Sequence, residues 1–182
     1  MPDDWLMPKA HKLGPGFDET TPKLPRLGVD TNVIMDALFG QEAAARGLLT
    51  AGRDGKVELA VSKTFDDEFK PRISSKGVDP TKDDLWPVID AMPRLDRPGA
   101  VIGHARIGEM RMGDDGGFGT IHSKQTGKGR DNSIRDEEHV SSAFGWGAVA
   151  FVTRERRLLE SDELRTREWR IVTPEEVLEQ LS

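Results

Sequence analysis

Leu27-Gly28-Val29-Asp30-Thr31-Asn32-Val33-Ile34-Met35-Asp36-Ala37-Leu38 reads as a buried strand that stops at an acid and turns at once into a helix. The apolar run before Asp30 is short. After it, Val33, Ile34, Ala37 and Leu38 recur at helical spacing. In an open α/β sheet, ligands bind at the C-terminal ends of the strands. A carboxylate there, with no Lys or Arg beside it in the chain, has two readings. Asp30 is a metal ligand, or it is an N-cap aspartate of the kind that helix starts favour.

A second segment carries the same grammar. In Asp136-Glu137-Glu138-His139-Val140-Ser141-Ser142-Ala143-Phe144-Gly145-Trp146-Gly147, the residues Val140, Ala143, Phe144 and Gly147 mark one apolar helix face. Asp136 lies four positions before Val140 and seven before Ala143, so it shares that face and is expected to point inward. Glu137 and Glu138 are the competing acids of this cluster. Ala148 to Val152 follows as an apolar strand, ending in Thr153 with Glu155 two residues on. Two strand-end turns therefore carry an acid.

In this order, the segments resemble the PIN-domain nucleases. The opening Asp30-x-Asn32, the helix Ser62-Lys63-Thr64-Phe65-Asp66-Asp67-Glu68-Phe69, and the closing Asp136, Gly147-Ala148 and Val152-Thr153-Arg154-Glu155 are similar to that family's pattern. The tail Trp169 to Leu178 looks like its last strand and helix. The resemblance covers about Pro25 to Ser182. It implies a three-layer α/β/α fold with a central, mostly parallel sheet. It also implies a metal site made by Asp30, Glu68, Asp136 and Glu155, with Asn32 orienting the first acid or contacting a phosphate. Glu155 departs from the pattern, because the family has Asp there. Its carboxylate sits one methylene further out, and Mg²⁺–oxygen distances tolerate only about a tenth of an ångström of change.

Composition sets outer bounds. The chain has 182 residues, enough for one domain with some extra length. It has no cysteine, hence neither a disulfide framework nor a thiolate metal site. No apolar run approaches a membrane span, and the N-terminus is acidic where a secretory signal would be basic, so a soluble, cytoplasmic protein is expected. A net charge of −6 argues against broad electrostatic binding of nucleic acid, although bound cations would restore positive charge at an acidic site.

Residues 1–25 hold five of the eleven prolines and form an extension, with Trp5 and Leu6 as its expected anchors. Residues 26–182 form the α/β domain. Helices are expected over Gln41–Arg53, Thr64–Ser74 and Thr81–Met92, with Pro87 kinking the last or marking its first turn, and a strand over Val57–Val61. A Gly-rich insertion near residues 103–133 contains Lys124, Lys128 and Arg130 without an acid between them. It reads either as a phosphate-gripping lid or as a solvated insertion. Gly127-Lys128 is no P-loop, since position 122 is His and position 129 is Gly. The four histidines are scattered, and none forms a zinc-hydrolase motif. His139 reads as a surface or capping residue. Thr153 either bonds a ligand or caps the next helix.

Four carboxylates at one sheet edge would repel one another and push pKa values up unless a cation joined them. Mg²⁺ or Mn²⁺ suits such oxygen donors. Asp30, Glu68 and Asp136 are therefore expected within roughly 4 to 8 Å of one another, close enough to share one or two ions. From the resemblance alone come single-stranded RNA as substrate, an antitoxin or other protein partner, and a homodimer. The alternative is a catalytically impaired module that binds RNA or a protein.

Overall fold

The computed structural model describes residues 5–7, 23–95, 139–161 and 170–182. Strand β1 (Arg26–Val29) leads directly into helix α1 (Thr31–Leu38), as the opening segment requires. Helix α2 (Ala43–Arg53), strand β2 (Glu58–Ser62) and helix α3 (Phe65–Lys76) follow. Then come α4 (Trp86–Ala91) and β3 (Arg94–Leu95). Residues 139–145 are helical (α5) and precede β4 (Ala150–Val152), the short helix α6 (Arg156–Leu159), β5 (Arg170–Val172) and α7 (Pro174–Leu181).

Among the described residues the strands form one five-stranded sheet in the order β3-β2-β1-β4-β5, and every pairing is parallel. Strand alternation builds two cores, one on each face. Leu27, Val29, Ala150, Val152 and Val172 join the larger core with α1 and α2, whereas Phe151 and Ile171 face the smaller core with Val140, Ala143 and Leu158. The fold is thus α/β, with helices on both faces of a parallel sheet.

Gly28 sets the height of α5. A Cβ at Gly28 would overlap the Cβ of Ala143, so only glycine lets the helix sit this close to the central strand. α7 is fixed by a capping box, in which Thr173 Oγ1 accepts from Glu176 N and Glu176 Oε2 accepts from Thr173 N. Leu6 is buried in the larger core, and Trp5 packs against it with the Arg170 guanidinium 5.3 Å from its ring centroid. These are the two anchors expected of the extension.

The expected helix over Thr81–Met92 is corrected. A 3₁₀ turn at Pro80–Lys82 comes first, and α4 begins only at Trp86 with Pro87 in its first turn. Proline is tolerated there because the N–H it lacks has no helical acceptor. α2 also starts two residues later than expected, since the Glu42 side chain caps Ala44 N and Ala45 N. The insertion near 103–133, with Lys124, Lys128 and Arg130, lies outside the described residues. Among those described, no helix is long and apolar enough to cross a membrane.

Candidate active site at the sheet switch point

The strand order runs outward from β1 through β2 to β3, then returns to the other side of β1 for β4 and β5. The crevice between β1 and β4 is therefore the topological switch point, where open α/β sheets bind ligands. Asp30 ends β1, and its N–H donates to Val152 O at 2.9 Å. Thr153 ends β4, and its N–H donates to Val172 O. Across the crevice, Thr153 Oγ1 donates to Asp30 Oδ2 at 2.6 Å. Both side chains are buried, Asp30 at 7% and Thr153 at 0% exposure. Asp30 is also the N-cap of α1, accepting from Asn32 N at a long 3.4 Å through Oδ1. The N-cap reading is thus borne out: Asp30 is a strand-end acid that caps a helix with one oxygen while a threonine holds the other.

Glu68 comes from the first turn of α3, just beyond the end of β2. Thr31 Oγ1, the neighbour of Asp30, donates to Glu68 Oε2 at 2.7 Å. His139 Nε2 lies 3.3 Å from the same oxygen. The fold therefore brings Asp30 and Glu68 to adjoining positions. Burial pushes the Glu68 carboxyl upward, but the bond from His139 and its charge, the bond from Thr31 and the charge of Arg72 outweigh it. The net result lies below the ordinary value. Donors surround this acid, so it does not show the upward push expected of some members of a crowded cluster.

His139 itself is a correction. Expected at the surface or as a cap, it is instead buried, with Nδ1 2.7 Å from Ser62 Oγ. Ser62 in turn lies 2.7 Å from Thr64 Oγ1. A usable signal was present: His139, Ser142 and Ala143 fall at i, i+3, i+4, and all three are buried.

Glu155 sits at the N-cap of α6, and its backbone N–H donates to Thr153 Oγ1 at 2.9 Å. One hydroxyl therefore ties the turn that carries Glu155 to Asp30. The Glu155 carboxylate pairs with neither neighbouring arginine. Arg154 Nη2 is engaged by Glu42 and Glu175, each at 2.7 Å, and its Nε lies 3.5 Å from Asp36. Arg156 pairs with Glu160. Asn32 turns its amide oxygen toward Arg72 Nη1 at 2.9 Å, so only its backbone addresses Asp30.

Asp136 and the alternatives Glu137 and Glu138 lie outside the described residues. Among those described, no group of three or more Asp, Glu or His side chains converges closely enough to hold a metal ion. The donor chemistry of Asp30 and Glu68 does suit a hard cation, which prefers oxygen ligands. Each acid is held through one oxygen by a threonine hydroxyl, and Glu68 Oε1 has no partner among the described residues. Ligating carboxylates are held by outer donors in this way. No protein-family model, curated protein or solved structure matches the chain.

Proposed function

We propose that the chain is a metal-dependent endoribonuclease of the PIN type, which hydrolyses phosphodiester bonds in single-stranded RNA. The observation that carries this reading is buried Asp30 at the switch point with Glu68 bonded to its neighbour Thr31, each acid fixed by a threonine hydroxyl. Asp30 and Glu68 would hold Mg²⁺ or Mn²⁺, joined by Asp136 and Glu155 as the sequence pattern implies. When bound, such an ion lowers the pKa of a water and neutralises charge on the phosphate and leaving oxygens.

The chain's own residues do the remaining work. Thr153 keeps Asp30 Oδ2 occupied and fixes its orientation. Thr31 and His139 keep Glu68 below the ordinary carboxylate range, hence anionic at neutral pH. RNA as the substrate rests on the motif resemblance, as do an antitoxin partner and a homodimer.

A second reading, a non-catalytic module that binds RNA or a protein, draws on one observation: no three acids converge among the described residues. The two readings separate in one assay. A fluorogenic single-stranded RNA is incubated with the chain and Mn²⁺, with and without EDTA, alongside Asp30→Asn. Cleavage that is lost on chelation and in the variant supports the nuclease. RNA bound but uncut at saturating Mn²⁺ supports the module. If Asp30→Asn cuts as fast as the parent, the role given to Asp30 is wrong.

A further inference from the structure

We propose that His139 is a positioning residue for Glu68, holding one carboxylate oxygen so that the other is presented to a ligand; the inference rests on the metal-site reading above. Four side chains from separate parts of the fold converge on this arrangement. Ser62 ends β2 and Thr64 lies just beyond it, His139 belongs to α5, and Thr31 opens α1. His139 Nε2 and Thr31 Oγ1 both address Glu68 Oε2, at 3.3 and 2.7 Å. Glu68 Oε1 has no partner among the described residues.

A carboxylate oxygen only accepts, so every consistent direction of bonding places a proton on His139 Nε2, facing Glu68 Oε2 at 3.3 Å. In one such direction Thr64 Oγ1–H donates to Ser62 Oγ and Ser62 Oγ–H donates to His139 Nδ1. A ring with its proton on Nε2 satisfies every member. The tautomer is set by the bond at the other ring nitrogen, as for histidines that serve ligand sites. A packing role alone would not require this. The ring is 4% exposed, and a leucine would fill such a space without bringing two polar atoms that need partners. The close seat of α5 on Gly28 brings the ring within reach of Glu68.

The test compares the full chain with His139→Leu and His139→Gln. The Gln amide can still donate to Glu68, whereas Leu cannot. Mn²⁺ affinity is measured by calorimetry, folding by circular dichroism, and the ring tautomer by ¹⁵N NMR of the metal-free parent. The expected result is an Nε2-protonated ring, Mn²⁺ binding weakened about 10-fold or more in His139→Leu, and near-parental binding in His139→Gln. A folded His139→Leu that binds Mn²⁺ like the parent overturns the proposal, and so does equal weakening in both variants. If His139→Leu does not fold, Ser62→Ala takes its place. It should weaken Mn²⁺ binding and disturb the tautomer, and parental behaviour in both respects overturns the proposal. A metal-free ring without a proton on Nε2 overturns it whatever the metal does. A parent with the Nε2–H bond intact but no Mn²⁺ affinity instead removes the metal-site reading, and the positioning role falls with it.

Discussion

Replacing Thr153 by Val removes one hydroxyl and almost no volume, which isolates the bond across the switch point. Two interactions are lost. Thr153 Oγ1 donates to the Asp30 carboxylate at 2.6 Å and accepts from Glu155 N at 2.9 Å. A hydrogen bond to a charged group contributes about 1.5–3 kcal/mol, and stranding a buried donor costs about 1–3 kcal/mol. The Glu155 N–H is only part-buried and can find water, so the second loss falls at the low end. The sum is about 2–4 kcal/mol. For a chain of this length each kcal/mol moves Tm by about 2–4 °C, so a drop of about 10 °C is expected. Urea unfolding followed by circular dichroism measures the free energy directly. Thr153→Ser keeps the hydroxyl and should retain most of the stability. A double-mutant cycle with Asp30→Ala should show coupling of about 1–3 kcal/mol. If Thr153→Val stays within about 0.5 kcal/mol of the parent, as a neutral surface change would, the bond is not the clamp described here.

Glu68 makes the acid limb of stability specific. Its folded pKa is depressed from 4.5, so its contribution is fully present above pH 4.5 and is lost as pH falls through the lower folded value. Glu68→Gln should therefore flatten the stability profile in that window, and an unchanged slope in acid urea titrations would contradict the assignment. Gly28→Val should force α5 off the sheet and destabilise the chain by about 1–3 kcal/mol, read by urea unfolding. A neutral result would mean that α5 does not depend on the close approach to Ala143. Glu155→Asp should raise Mn²⁺ affinity in calorimetry, because neither Arg154 nor Arg156 restrains Glu155 and its arm length departs from the motif. A loss of affinity would show that the turn is adapted to the longer side chain.

Much of the fold was legible because local pattern and tertiary role coincide in it. Asp30 closes an apolar run and opens a helical stripe, and both elements lie where that pattern puts them. The run before Thr153 and the Thr173-Pro174 helix start are equally local signals. What escaped the reading depends on distant partners. His139 sits beside charged residues in sequence, and its burial comes from Ser62, 77 positions away, and from Glu68. Arg154 adjoins Glu155 in sequence, yet it is engaged by Asp36, Glu42 and Glu175, which only the folded chain brings to it. Pro87 does mark the first turn of α4, one of its two expected places, but the helix expected over Thr81–Met92 is too long because apolar periodicity does not register the 3₁₀ turn at Pro80.

A crystal of the full chain grown in MnCl₂, with anomalous differences collected at the manganese edge, tests the central claim most directly. The account predicts a manganese peak in the β1–β4 crevice, within coordination distance of both the Asp30 and Glu68 carboxylates. It is contradicted by an empty crevice at saturating Mn²⁺, or by manganese seated only elsewhere, such as among Asp36, Glu42 and Glu175.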